Sequence, residues 1–186
     1  MRTFIAVGLP PDVLRDVGAR VDRLRAQLPR AAWVRTDSLH LTLAFLGEQD
    51  ETLVPTICSA LERRIAPLPA FSAAVHGAGF FPSPRNARAA WLGIEPEAPL
   101  HALAGAARDA ASDAGITIDG ARFKPHLTLC RLRDRWPPAS VELLLSTFGA
   151  FESAAFTIDT VTLFSSRLDP KGAVHTPMCR LTLTRP

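Results

Sequence analysis

Two histidines stand in identical tetrapeptides, His40-Leu41-Thr42-Leu43 and His126-Leu127-Thr128-Leu129, 86 positions apart in a chain of 186 residues. Each heads an apolar run with β-type alternation, HLTLAFLG from 40 and HLTLCRL from 126. Alternate side chains of a strand share a face. Strict alternation therefore points His40, Thr42 and Ala44 one way and Leu41, Leu43 and Phe45 the other, and His126, Thr128 and Cys130 repeat the first face. An imidazole changes charge near neutral pH, so it can take or give a proton there. A hydroxyl two residues on can donate a hydrogen bond from the same side. In-line displacement at phosphorus needs this set twice. A base serves the attacking oxygen, an acid serves the leaving oxygen opposite, and donors hold the non-bridging oxygens. The near-symmetric pair leaves open which imidazole is acid and which is base.

One such motif would carry little weight, because a histidine on a strand is more often a hydrogen-bonded structural residue. The surroundings, however, also repeat. Phe4 lies 36 residues before His40 and Trp91 lies 35 before His126, each beginning a strand–helix–HLTL unit. Phe71 lies 31 after His40 and Phe156 lies 30 after His126, each beginning a hairpin behind a helix. Helical spacing is seen at Leu14, Val17, Val21, Leu24 and Leu28, at Leu53, Ile57, Leu61 and Ile65, at Leu100, Leu103, Ala107 and Ala110, and at Val141, Leu144, Leu145 and Phe148. Apolar runs at 3–9, 71–81, 88–94, 156–166 and 178–183 read as strands, with a polar turn at 169–172. The expected fold is α+β: a duplicated strand–helix–strand–helix–hairpin unit, with two antiparallel sheets related by a pseudo-two-fold axis around a central cleft and helices outside. The expected organisation is one domain, 1–186, of two pseudo-symmetric lobes at about 1–87 and 88–186.

Composition excludes other classes. A hydrophobic content of 47% suffices for a packed interior. No apolar run approaches the ~20 residues of a membrane span. The opening MRTFIAVGLPPD reads as a first strand, not as a signal peptide. Three cysteines without CxxC spacing (Cys58, Cys130 and Cys179) suggest neither a disulfide framework nor a zinc site. The expected compartment is the reducing cytoplasm. The net charge of +3, carried almost wholly by arginine, permits a polyanionic partner. No HExxH, HxxE, DxD, CxxC or Walker-type glycine loop is present. Neither metal nor other cofactor is expected.

HLTLAFLG and PHLTLCR, at this spacing and in this duplicated order, resemble the two HxTx motifs of the 2H phosphoesterase superfamily. The likeness is greatest to its RNA 2′,3′-cyclic phosphodiesterase branch, also called 2′-5′ RNA ligase-like. It runs from FIAVGLP to the closing hairpin. It implies hydrolysis of an RNA 2′,3′-cyclic phosphate to a 2′-phosphomonoester. It also implies roles: His40 as proton donor, His126 as proton acceptor, and Thr42 and Thr128 as phosphate ligands. Five residues beyond each histidine stand Phe45 and Arg131. In the family a basic residue at the second of these positions is associated with phosphate. Strict alternation places both on the face away from the histidines, so Phe45 is either core or a base-stacking surface, while an arginine in a core strand needs a partner. Some relatives carry lysine where this chain has Ala44.

Elsewhere, His101 reads as a solvated helix flank, and His76 and His175 as structural or surface residues of hairpins. Cys130 raises Cys–His nucleophilic catalysis, against which no orienting third group stands in the sequence. Trp33 and Trp91 read as core. The expected partner is RNA or a nucleotide ending in a 2′,3′-cyclic phosphate, bound by a monomer with no membrane association. The alternatives are a 2′-5′ ligase or phosphodiesterase on another nucleotide, a non-catalytic RNA-binding module, and a metal-binding protein using His40 and His126.

Overall fold

A computed structural model describes residues 1–118, 122–169 and 172–185. Among these residues the chain forms four α-helices and nine strands. The strands are β1 (Arg2–Gly8), β2 (Ala32–Trp33), β3 (His40–Glu48), β4 (Phe71–Phe81), β5 (Ala89–Glu95), β6 (His126–Arg131), β7 (Phe156–Ile158), β8 (Thr160–Asp169) and β9 (Gly172–Thr182). The helices are α1 (Pro11–Arg25), α2 (Val54–Ile65), α3 (Glu97–Asp113) and α4 (Pro138–Gly149). Proline occupies the first turn of α1, α2 and α4, where its missing amide hydrogen costs nothing. α3 buries Leu100, Leu103, Ala107 and Ala110 as expected, whereas α1 buries Val17, Val21 and Leu24 of its expected stripe together with Val13, leaving Leu14 only partly buried and Leu28 beyond its end. α2 packs on α3, and α4 packs on β4.

The strands join in one antiparallel sheet, in the order β7-β4-β5-β6-β3-β1-β8-β9, with β2 beside β6. Two separate sheets were expected. The difference lies at the centre, where β3 and β6 meet in a single register pair, Leu41 with Leu127. β4 and β5 form one hairpin across residue 87, and β8 and β9 stand beside β1. Each half of the sheet thus draws strands from both halves of the sequence.

The run at 156–166, expected as one strand, is two. β7 pairs with β4, whereas β8 pairs with β1, and Asp159 alone separates them. In the sheet order β7 and β8 lie six steps apart. At roughly 4.8 Å per step a flat sheet would hold them about 29 Å apart. One connecting residue spans no more than about 7 Å. The sheet must therefore curl until its outer strands meet. The closing hairpin is longer than expected, with β9 beginning at Gly172 and Asp169 opposite Gly172, while Pro170 and Lys171 of the expected turn lie outside the described residues.

The cysteine expectation is also corrected. Cys58 of α2 and Cys179 of β9 form a disulfide, leaving Cys130 as the free, buried thiol. Their 121-residue separation hid the pairing, which depends on α2 packing against β9. The reducing compartment inferred from cysteine spacing loses that support.

Candidate active site

The two motif strands lie side by side at the centre of the sheet, each with its apolar residues packed beneath. Leu41, Leu43, Leu127 and Leu129 are buried in the core. Leu41 opposite Leu127, carried one residue either way along antiparallel strands, sets His40 across from Thr128 and Thr42 across from His126. The register of two leucines thus assembles two imidazoles and two hydroxyls on one face.

Each imidazole is fixed in the same way. His40 Nδ1 lies 2.8 Å from the carbonyl oxygen of Ser38, and His126 Nδ1 lies 2.7 Å from that of Lys124. A carbonyl only accepts, so Nδ1 carries hydrogen in both rings. Nε2 is left to exchange a proton. Aromatic rings wall each histidine. Phe4 stacks on His40 at a centroid distance of 4.8 Å. Phe81 stands edge-on to His126 at 4.8 Å, with Trp91 at 6.4 Å. Burial pushes both imidazole pKa values below the ordinary range. At His40 the charges of His175 and His126 add to that lowering, and the Ser38 carbonyl opposes it. At His126 the charges of Lys124 and Arg131 add, and the Lys124 carbonyl opposes.

A β-bulge decides the fate of the residues beyond the threonines. Ala6 pairs with Thr42 but Ile5 with Ala44, so Leu43 is an extra residue in β3. Trp91 pairs with Thr128 but Ala90 with Cys130, so Leu129 is the extra residue in β6. An extra residue reverses the alternation beyond it. Ala44 and Cys130 turn inward and are buried, against the expectation that they share the histidine face. Phe45 and Arg131 turn outward and line the same cavity as His40, Thr42 and Thr128. Phe45 is 62% exposed and is not core. Cys130 is no nucleophile: burial pushes its thiol up to about 12.

The cavity has a volume of about 690 Å³ and extends from the motif strands toward β1, β2 and β9. His126 lies beside it rather than in its wall, close enough for its charge to be felt at His40. Two tryptophans expected in the core are half-buried near the site. Trp33 lines the cavity, and Trp91 carries the Lys124 ammonium over its ring at 4.3 Å. Residue spacing also missed His175. Its ring stands edge-on to His40 at 5.1 Å and to Phe4 at 5.0 Å, on the cavity wall. The signal was the hairpin register: with Asp169 opposite Gly172, Ser166 falls opposite His175. His101 and His76 are exposed on α3 and β4, as expected.

The model of the 2′-5′ RNA ligase superfamily matches residues 10–170. The chain belongs to that superfamily. An RNA 2′,3′-cyclic phosphodiesterase of Thermotoga maritima is 33% identical to it over 178 residues, covering 94% of this chain and 91% of the relative. The RNA 2′,3′-cyclic phosphodiesterase of Escherichia coli is 32% identical over 187 residues, covering 99% and 97%. A crystal structure of E. coli LigT complexed with 3′-AMP superimposes with a TM-score of 0.75 at 26% identity, covering 99% and 98% of the two chains. This superfamily member thus shares fold as well as sequence with its relatives across almost its whole length.

Proposed function

We propose that the chain hydrolyses RNA 2′,3′-cyclic phosphate ends to 2′-phosphomonoesters, without a metal, by paired histidine acid–base catalysis. The observation that carries this is the matched pair of Nδ1–carbonyl contacts, which leave two equivalent Nε2 atoms beside one cavity. The relatives' activity agrees with it. Neutral His126 takes a proton from water at Nε2 as the water oxygen bonds to phosphorus. The bond from phosphorus to the 3′ oxygen breaks, and His40 gives that oxygen its Nε2 proton. The products are a 2′-phosphate and a 3′-hydroxyl, with the proton carried from His126 to His40 through solvent before the next turn. Thr42, Thr128 and Arg131 hold the non-bridging oxygens, where Arg131 supplies charge-assisted bonds. Phe45 offers its exposed ring to the base.

Two further points support this reading. The same bulge follows both motifs, as a pseudo-two-fold relation of the motif strands requires. All four motif residues come from one chain, so a monomer suffices. No helix of the described residues is long and apolar enough to cross a membrane. An RNA substrate fits a cytoplasmic enzyme, although disulfides are uncommon there, and cell fractionation checks the location.

The test is product analysis of an oligonucleotide ending in a 2′,3′-cyclic phosphate, before and after exhaustive EDTA treatment. The expected product is the 2′-phosphate, formed at the same rate in both samples. A 3′-phosphate product, or activity lost to EDTA and restored by one divalent ion, would overturn the mechanism.

A further inference from the structure

The cavity is longer than the chemistry needs. His40 pairs with Gly8 at one end of β1, and Glu48 pairs with Arg2 at the other. Both His40 and Arg2 line the cavity, as does Gly47. Six residue steps of strand lead from Gly8 to Arg2, which at roughly 3.3 Å each is about 20 Å. A stacked nucleotide advances a strand by roughly 3.4 Å, so a terminal nucleotide placed at His40 leaves much of this groove unfilled.

The composition of the groove beyond His40 is that of a surface for single-stranded nucleic acid. Phe45 stands between the two ends, and Leu168, 76% exposed, stands on the β8 side. Exposed large apolar side chains lining one cavity mark a contact surface. Arg35 also lines the groove, but its guanidinium is engaged by Asp37. Arg2, at the far end, makes no ion pair or side-chain hydrogen bond among the described residues. Aromatic platforms interleaved with free guanidinium groups are how proteins track an RNA backbone.

We infer that the groove along β1 and β3, from His40 to Arg2, binds the RNA strand upstream of the cyclic phosphate, with Arg2 on an upstream phosphate. The enzyme then prefers an oligonucleotide end to a mononucleotide. This rests on the cyclic phosphodiesterase reading above.

The experiment compares kcat/KM of the whole protein for adenosine 2′,3′-cyclic phosphate with that for oligoadenylates of two, three and four nucleotides carrying the same end. The expected result is a rise with length, expressed mainly in KM, reaching at least roughly tenfold by the tetranucleotide, as for one good phosphate contact. In Arg2→Ala the ratio of tetranucleotide to mononucleotide kcat/KM should fall several-fold, and Arg2→Lys should recover part of it. Removing one phosphate contact should also lower the slope of log(1/KM) against log[salt] for the tetranucleotide by about one. Equal kcat/KM at all lengths, or a length ratio and salt slope unchanged in Arg2→Ala, would overturn the groove while leaving the cyclic phosphodiesterase standing. No turnover at any length would overturn that activity, and the groove with it.

Discussion

On the proposed mechanism, removing either imidazole removes one end of a proton relay, and the other end cannot serve both oxygens. His40→Ala and His126→Ala should each lower kcat/KM by roughly 10² to 10⁴, with unchanged far-ultraviolet circular dichroism and melting temperature. A folded variant at near wild-type rate would remove that histidine from the mechanism. The pH dependence follows from the same pair. On the proposed mechanism turnover requires His40 protonated and His126 neutral, so kcat/KM should be bell-shaped. Burial lowers both values, so the bell should lie on the acid side of the free-imidazole value of about 6.5. His126→Ala should lose the acidic limb from its residual activity, and His40→Ala the basic limb. The opposite pattern would exchange donor and acceptor. Arg131→Ala should raise KM more than Phe45→Ala, because a charge-assisted bond outweighs a stacking contact in water. His175 braces the ring of His40 with Phe4. His175→Ala should therefore lower kcat by roughly 3- to 30-fold through misplacement, while His175→Phe keeps most of the rate. Equal rates in the two variants would deny it that role.

What could be read from the sequence stops where strands depart from ideal period. The helices were legible because their stripes repeat over several turns and tertiary packing did not override them. The motif histidines and threonines were legible because they precede the bulge, so alternation held as far as Thr42 and Thr128. It failed at Ala44, Phe45, Cys130 and Arg131, because an extra residue is set by the neighbouring strand and leaves no local mark. Asp159, which divides one apolar run into β7 and β8, was illegible for the same reason: both pieces alternate normally. The disulfide between α2 and β9 required knowing which elements touch. It leads to a prediction at this scale. Without reductant, the denatured protein should titrate one thiol, Cys130, and with reductant three. Cys58→Ser should lower unfolding stability by about 2–5 kcal/mol, measured by denaturant titration, because the bond closes so long a loop. Three thiols without reductant would show that the link does not form.

At the scale of the molecule, the exchange of hairpins makes the two halves of the sequence interdependent. Residues 1–87 contain β4 without its partners β5 and β7, and β1 without β8. A fragment 1–87 expressed alone should lack the dispersed amide spectrum of a folded domain, and a well-dispersed spectrum would show a true half-molecule. The curl of the sheet has a further consequence. The two motif strands touch through one residue pair, which alone would make a weak seam. Asp159, however, ties the far flanks together, and Thr184 adds bonds to Leu68 and Ala70 between α2 and β4. The sheet is thus hooped rather than hinged, and parting the histidines as a clamshell would part would require breaking the hoop. On the proposed function, substrate should enter such a groove by threading. A free single-stranded end can slide in, whereas a nucleotide paired in a helix must first fray, so an RNA paired at its 3′ terminus should be hydrolysed more slowly than one with a free single-stranded end.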